Sequence, residues 1–253
     1  MKSQLDIRKW MRIFERNKQQ RTEPRWDSPL SVPQAAQAAL FRSLAEFQLG
    51  DGGGPAGLIA WNAERYRRSQ PGLAEVIDAW FNEEKEHSRL LGDLISHYDT
   101  PAVKECWSFS LFLLVRKIFG VAFELQILTV TELSSTAYYQ MLSENCEDVA
   151  LRDVCALILR DEHLHLAFQH DRLLTSKARF SSLWSLQFRL CGWMAATVLW
   201  MGHGRCLRGL GVTRQAFFQR ADAHFLAFIQ RLHPPSRNRT GSGGRNLTVR
   251  EGA

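Results

Sequence analysis

Apolar residues recur at steps of three and four along most of this chain, and polar or charged residues fill the positions between them. This spacing places the apolar side chains on one face of an α-helix. No stretch bounded by turn residues alternates apolar with polar positions, the pattern of a half-buried β-strand. The sequence therefore predicts an all-α fold.

Clusters of glycine and proline divide this pattern into separate helices. The segments predicted to be helical are 34–49, 58–68, 73–98, 109–142, 149–174, 183–201 and 215–232. We expect Gly202 and Gly204 to end the sixth of these helices, and Pro234 to follow the last.

The two ends of the chain are basic, whereas the part between them is not. Residues 1–33 carry eight Lys or Arg and four acidic residues, and residues 234–253 carry four Arg and one Glu. The net charge of +6 and the pI near 9.3 therefore come from the ends. Because a nucleic-acid-binding protein concentrates its basic residues on a folded face, we predict no nucleic-acid partner.

The composition predicts one helical domain with two appendages. Residues 1–33 are expected to be a basic arm with one short amphipathic helix, which either binds a membrane surface or a partner, or packs on the body. Packing is the favoured interpretation. Residues 34–233 are expected to form the domain, and residues 234–253 a disordered basic tail without aromatic residues.

The sequence shows no targeting segment and no pattern of disulfide bonds. The longest apolar stretch, residues 190–202, is too short to span a bilayer, and no signal sequence is recognised at the N-terminus. Five cysteines without a Cys-x-x-Cys pair argue against a disulfide framework. The expectation is a cytoplasmic protein with no transmembrane segment.

The candidate chemistry begins with one spacing that occurs twice. Glu84 and His87 form a Glu-x-x-His pair in one predicted helix, and Glu162 and His165 form another in a second helix. Residues three apart project from the same face of a helix. Each pair can therefore grip a single metal ion.

Both pairs lie on the apolar face of their helix. The first pair is in register with Ile77, Trp80 and Leu91, and the second with Leu151 and Ile158. A carboxylate on such a face costs several kcal/mol unless it is paired or bound to a metal. The register therefore favours metal ligands over two chance occurrences on charged surfaces.

A third helix supplies a further carboxylate. Glu132 lies 13 residues before Asn145, the middle of the predicted turn, and Glu162 lies 17 residues after it. In an antiparallel helix pair this difference is roughly 6 Å, or one turn, which long side chains can bridge. Glu132 is thus the predicted ligand. Glu124 is the alternative, two turns further away.

With these residues the chain resembles the ferritin-like diiron-carboxylate superfamily, in particular its bacterial ferritin-like domain proteins. The resemblance covers residues 34–175. The segments that carry it are Phe47-Gln48-Leu49-Gly50, Glu83-Glu84-Lys85-Glu86-His87, Glu124-Leu125-Gln126, Thr131-Glu132-Leu133 and Arg160-Asp161-Glu162-His163-Leu164-His165. It implies a four-helix bundle with a Glu from each of two helices and a Glu-x-x-His from each of the other two. The helices after residue 175 would be additions to this bundle.

One expected ligand is missing from the pattern. A turn centred near Pro71 places the partner of Glu84 within residues 54–62, which contain no acidic residue. Asp51 and Glu64 flank this window. Asp51 is favoured, since it lies 33 residues before Glu84 and the other acid pair is 30 residues apart. However, Asp51 is short and lies in a glycine-rich stretch.

The resemblance implies two iron ions that activate O₂ or peroxide toward a small organic substrate, with an electron donor as a second partner. Manganese or zinc could occupy the same ligands. Trp80, Phe81 and Tyr139 favour an apolar or aromatic substrate. The aromatic C-terminal helices would cover the bundle or form a homodimer interface. The alternative, favoured by the missing acid, is a non-catalytic ferritin-like scaffold or binding module with a degenerate metal site.

Overall fold

The computed structural model describes residues 4–52, 57–176 and 182–233. Within these ranges the chain forms nine α-helices and no β-strand, so the predicted all-α class is confirmed. The helices are α1 Ile7–Gln19, α2 Gln34–Gly52, α3 Ala63–Ser69, α4 Pro71–His97, α5 Trp107–Ile118, α6 Val121–Asn145, α7 Val149–Thr175, α8 Ser182–Gly209 and α9 Arg214–Leu232. The predicted tail lies outside the described residues.

Several helices begin where a polar side chain caps them. Asp6, Asp148 and Thr213 each accept a hydrogen bond from a backbone N–H in the first turn of α1, α7 and α9. Pro71 is the first residue of α4, where a missing N–H costs nothing. These caps fix the starts of the two helices that carry Glu-x-x-His.

Several predicted helix boundaries differ from the observed ones. The segment predicted from residue 58 is helical only from Ala63, and the segment 109–142 is two helices that part at Phe119 and Gly120. Asn62 Oδ1 accepts the backbone N–H of Val121 and so caps α6 from outside. In contrast, α8 continues through Gly202 to Gly209, because its packing outweighs the low helix propensity of glycine.

The central helices pack in pairs. α2 lies along α4, α6 lies along α7, and α4 also contacts α7. α8 packs across α2 and α6, and α9 packs on α6 and α8. The space between the paired helices is where the candidate ligands lie. None of the described helices has a stretch apolar and long enough to cross a bilayer.

The amphipathic N-terminal helix packs on the body of the protein. Trp10 and Phe14 of α1 are buried in a cluster with Trp80 of α4 and Phe168 of α7. The Trp10 and Phe168 rings meet edge-on at 5.5 Å. This contact brings the C-terminal end of α1 to the interior of the paired helices.

We predict opposite effects for two glycines of α8. A Cβ at Gly192 would lie 2.8 Å from the buried ring of Phe225, whereas a Cβ at Gly202 meets nothing within 4 Å. We therefore expect Gly192→Ala to lower the free energy of unfolding by about 1–3 kcal/mol. Gly202→Ala should raise it by up to about 1 kcal/mol, since alanine favours the helix. Urea denaturation measures both, and equal effects would contradict the packing of α8 on α9.

Candidate metal centre

Six side chains from four helices meet between the paired helices. They form two groups in which every member offers a ligand atom within 4.8 Å of the others. The first group is Glu84, Glu132, Glu162 and His165, and the second is Asp51, Glu84 and His87. Glu84 belongs to both, which is the position of a carboxylate between two metal ions. All six candidate ligands are thus brought together.

Both histidines present the same nitrogen to this cluster. The Nδ1 atom of His165 lies 3.1 Å from Glu84 Oε1, 3.3 Å from Glu132 Oε2 and 3.7 Å from Glu162 Oε2. The Nδ1 atom of His87 lies 3.6 Å from Glu84 Oε2. Ligand atoms that each bind one ion at about 2 Å are separated by about 3 Å, so these distances suit coordination.

The opposite nitrogen of each histidine bonds to an acid on the other helix. His87 Nε2 on α4 lies 3.2 Å from Asp161 Oδ2 on α7, and His165 Nε2 on α7 lies 2.9 Å from Glu83 Oε2 on α4. Each acid immediately precedes the glutamate of its own Glu-x-x-His pair. A carboxylate that holds one ring nitrogen orients the other toward a metal. The two helices therefore support each other's histidine.

Helix α1 covers these two outer acids. The amide of Asn17 donates to Glu83 Oε1 at 2.7 Å and to Asp161 Oδ1 at 2.8 Å, and all three side chains are buried. Arg21, just beyond α1, lies 2.9 Å from Asp161 and 3.5 Å from Glu83. Asn17 and Arg21 thus provide the two outer acids with hydrogen bonds and positive charge.

Trp80 holds two of the inner carboxylates. Its indole N–H lies 3.0 Å from Glu84 Oε1 and 3.1 Å from Glu132 Oε1. The ring is fully buried against Phe168 and His165. Trp80 therefore restrains the carboxylates of α4 and α6. On Glu132 it bonds to the oxygen that does not face His165, whereas on Glu84 it shares Oε1 with the Nδ1 atom of His165.

The inner cluster has buried polar atoms that lack a protein partner. His87 Nδ1 and Glu162 Oε2 are both without a hydrogen bond. An unsatisfied buried polar atom costs about 1–3 kcal/mol, and a metal ion would satisfy both. Asp51, Glu84, Glu132 and Glu162 together can carry four negative charges, which two divalent cations would balance. By these two observations the residues present fit a dinuclear centre.

Burial and like charge govern the ionisation of the cluster. Burial, followed by the charge of Glu84, raises the pKa of Asp51 well above its usual value. Burial and the neighbouring Glu132 likewise raise the pKa of Glu162. Burial would lower the pKa of His87, but Glu84 and other carboxylates outweigh it and raise that pKa. Without metal the cluster therefore retains protons, which a bound cation would displace.

Asp51 reaches the cluster because α2 is longer than predicted. The helix runs to Gly52, so Asp51 lies in its last turn and not in a loop. A Cβ at Gly52 would collide with the Ser88 side chain on α4, so glycine permits this close approach. Residues 57–62 lie outside any helix, and residues 53–56 lie outside the described part. The described part of the window predicted to pair with Glu84 is therefore not helical, and α2 supplies the acid beside Glu84 instead.

The alternative acids have other partners. Glu64 lies on the surface of α3, where it pairs with Arg68. Glu124 is buried but pairs with Arg116 at 2.9 Å and accepts the backbone N–H groups of Ile59 and Ala60. Glu124 thus anchors the segment before α3 to α5 and α6, and neither acid belongs to the cluster.

A cavity of about 950 Å³ adjoins one side of the cluster. Asp51, Glu84, Glu132 and Glu162 line it, whereas the two histidines and the two outer acids do not. Most of the remaining wall is apolar, with contributions from α2, α4, α5, α6 and α8. Typical members are Phe47, Phe81, Phe112, Leu128 and Val198. The cluster is therefore closed by α1 on one side and open to an apolar space on the other.

Two tyrosines of α6 lie between the cavity and the core. Tyr139 lines the cavity with its buried hydroxyl unpaired, and burial followed by the charge of Asp51 raises its pKa. Tyr138 stacks on Phe47 and bonds to Ser43. His203 Nδ1 lies 2.9 Å from the same Ser43 hydroxyl. The His203 side chain also borders the cavity.

Comparison of this chain with protein-family models, with curated proteins and with solved structures found no match in any of the three. The interpretation of the centre therefore rests on its own geometry.

We predict that Asn17 stabilises the fold through the two outer acids. Asn17→Ala removes the amide that both carboxylates use, so we expect the free energy of unfolding to fall by about 3 kcal/mol. Gln19→Ala is the matched control, since this exposed side chain of the same helix bonds only to Glu15. It should change stability by less than about 0.5 kcal/mol. Equal losses, measured by urea denaturation with a chelator present, would contradict this role.

We predict that His203 makes stability depend on pH. Burial lowers the pKa of His203 from 6.5 to about 4, so its contribution is present above pH 6.5 and is lost as the pH falls toward 4. His203→Gln should reduce the loss of unfolding free energy between pH 7 and pH 4 by about 3 kcal/mol. Denaturation curves at both pH values measure this difference. An unchanged pH dependence would show that His203 titrates normally.

Proposed function

We propose that this chain is a dinuclear-metal oxidoreductase with a ferritin-like four-helix core formed by α2, α4, α6 and α7. The observation that carries the proposal is the meeting of two Glu-x-x-His pairs with Asp51 and Glu132 in a buried cluster beside an apolar cavity. Glu132, Glu162 and both histidines are buried, and Asp51 and Glu84 are partly buried, which a chance pattern of surface charges would not produce.

Among the metals considered, iron is the one that this ligand set is best suited to bind. Four carboxylates and two imidazoles are hard and intermediate donors, which bind iron or manganese, and zinc competes by the general affinity order. When bound, a pair of iron ions would supply the redox chemistry by which O₂ or peroxide oxidises an organic molecule. Electrons for this reaction would come from a separate donor.

The chain's own residues would prepare the site. Glu83 and Asp161 hold the Nε2 protons of the histidines, so that both Nδ1 atoms remain available as ligands. Trp80 restrains Glu84 and Glu132 by two hydrogen bonds. Asn17 closes the side away from the cavity, and the apolar walls exclude water from the reacting side.

The substrate proposed for this site is an apolar or aromatic small molecule. The cavity volume of about 950 Å³ is at the upper end of the range for small-molecule sites. The four ligand carboxylates form one wall, so a bound molecule would lie directly against the metal ligands.

Metal content per chain tests the proposal. We expect about two irons per chain after anaerobic Fe(II) loading and removal of excess metal. Glu84→Ala/Glu162→Ala should bind none, because Glu84 belongs to both ligand groups. Glu75→Ala is the control, an exposed acid of the same helix that should leave the metal content unchanged. Admission of air to the loaded protein should produce a near-ultraviolet absorption band with consumption of O₂.

Asp51→Ala separates the two halves of the site. It removes one ligand from the group with His87 and none from the other, so we expect about one iron per chain. If the iron-loaded protein consumes no O₂, the proposal that it is an oxidoreductase is wrong. No metal above the double variant would leave the alternative, a ferritin-like scaffold with a degenerate site.

A further inference from the structure

Helix α5 has an exposed apolar stripe. Trp107, Leu111, Leu114 and Ile118 recur at steps of four, three and four residues, and each is between 39% and 55% exposed. Residues at this spacing lie on one face of a helix. A stripe of this kind on a surface helix marks an interaction site when it is contiguous with other apolar surface.

Helix α8 provides that contiguous surface. It contacts α5, and its exposed large apolar residues are between 44% and 74% exposed. They are Leu183, Leu186, Leu190, Trp193, Met194 and Met201. Together with the α5 stripe they form one surface, the α5–α8 face. It contains most of the exposed large apolar side chains in the described part of the chain.

The charged residues of α5 and α8 themselves have a single sign. Neither α5 nor α8 contains an acidic residue. Arg205 and Arg208 continue the exposed stripe of α8 beyond Met201, and Lys117 is exposed on α5. None of these three cations has an acidic partner among the described residues.

The sequence adds positive charge after the last described residue, His233. This residue follows α9 and lies 3.4 Å from Ser185 in the first turn of α8. The 20 residues after it carry four Arg and one Glu.

We propose that the α5–α8 face docks on the surface of an anionic lipid bilayer. Apolar side chains with tryptophan would enter the boundary of headgroups and acyl chains, and the flanking cations would meet lipid phosphates. A second copy of this chain fits less well. Its own α5 and α8 would bring further Arg and Lys to the contact and no carboxylate to pair with them.

The cavity opens at the same face. Leu111, Trp193 and Met194 are exposed there and also line the cavity beside the candidate metal centre. An apolar molecule dissolved in the bilayer would enter without crossing water. This route deepens the proposed function, on which it rests, whereas the docking itself involves no metal ligand.

Vesicle co-sedimentation of the full chain tests the docking. The probes are phosphatidylcholine vesicles with and without about 30% phosphatidylglycerol. We expect at least about tenfold tighter binding to the anionic vesicles, weakened by salt. Leu114→Glu/Leu186→Glu should reduce binding at least about tenfold, because it places two carboxylates on the face. Both positions are exposed, so the fold should survive, and circular dichroism verifies this.

The matched control is Leu30→Glu, an exposed leucine outside α5 and α8 that should bind like the wild type. If Leu30→Glu loses as much binding as the double variant, overall charge explains the effect and the proposal is wrong. If the double variant binds fully, the basic tail and not the α5–α8 face binds the vesicles, and the proposal is wrong. A wild-type dimer in sedimentation velocity that the double variant dissociates would overturn it in favour of a second copy.

Glu162→Ala should keep vesicle binding. A wild-type chain that docks on the vesicles but binds no metal would contradict the proposed function and leave the docking proposal intact.

Discussion

The packing of this protein depends on the burial of six carboxylates in one small volume. They are Glu83, Glu84, Glu132, Asp161 and Glu162, which are buried or nearly so, and Asp51 at the end of α2. Like charges at these distances in a protein interior would drive the helices apart unless protons, cations or hydrogen bonds compensate them. The negative charge is compensated differently on the two sides of the histidines. Asn17 and Arg21 compensate the outer acids, Glu83 and Asp161. The inner carboxylates depend on bound protons or on a bound cation.

The outer compensation explains why the N-terminal arm belongs to the folded body. Asn17 and Arg21 contact Glu83 and Asp161 across 62 to 144 residues of sequence. Trp10 and Phe14 hold α1 where these contacts can form. The basic character of the arm, for which a membrane surface was the less favoured prediction, therefore serves in part to neutralise buried acids. The apolar and basic features suited to a lipid surface lie instead on α5 and α8.

Local pattern sufficed for the helical class and for placing each Glu-x-x-His pair on one inward helix face, because both depend on spacing within a helix. The choice of Glu132 and Asp51 as further ligands depended instead on offsets between helices, and all six remain predicted ligands. Glu83 and Asp161 were also recognisable in the sequence, since each directly precedes the glutamate of a Glu-x-x-His pair. Their role was not, because each bonds to the histidine of the other helix, and only the structure shows that contact. Asn17 had no such signal, because only tertiary contact brings α1 to the acids. The length of α2 was also underestimated, since tight packing on Ser88 outweighs the low propensity of its terminal glycines.

The two sides of the centre differ in a way that constrains any ligand. The histidines, the outer acids and α1 close one side with hydrogen bonds and charge, so a molecule could enter there only by displacing buried ion pairs. The four inner carboxylates face the cavity, whose other walls are apolar. A polar ligand would gain little from those walls, whereas an apolar ligand loses nothing by leaving water. Entry from the α5–α8 face is therefore the route of least cost, and this face carries most of the exposed large apolar side chains among the described residues.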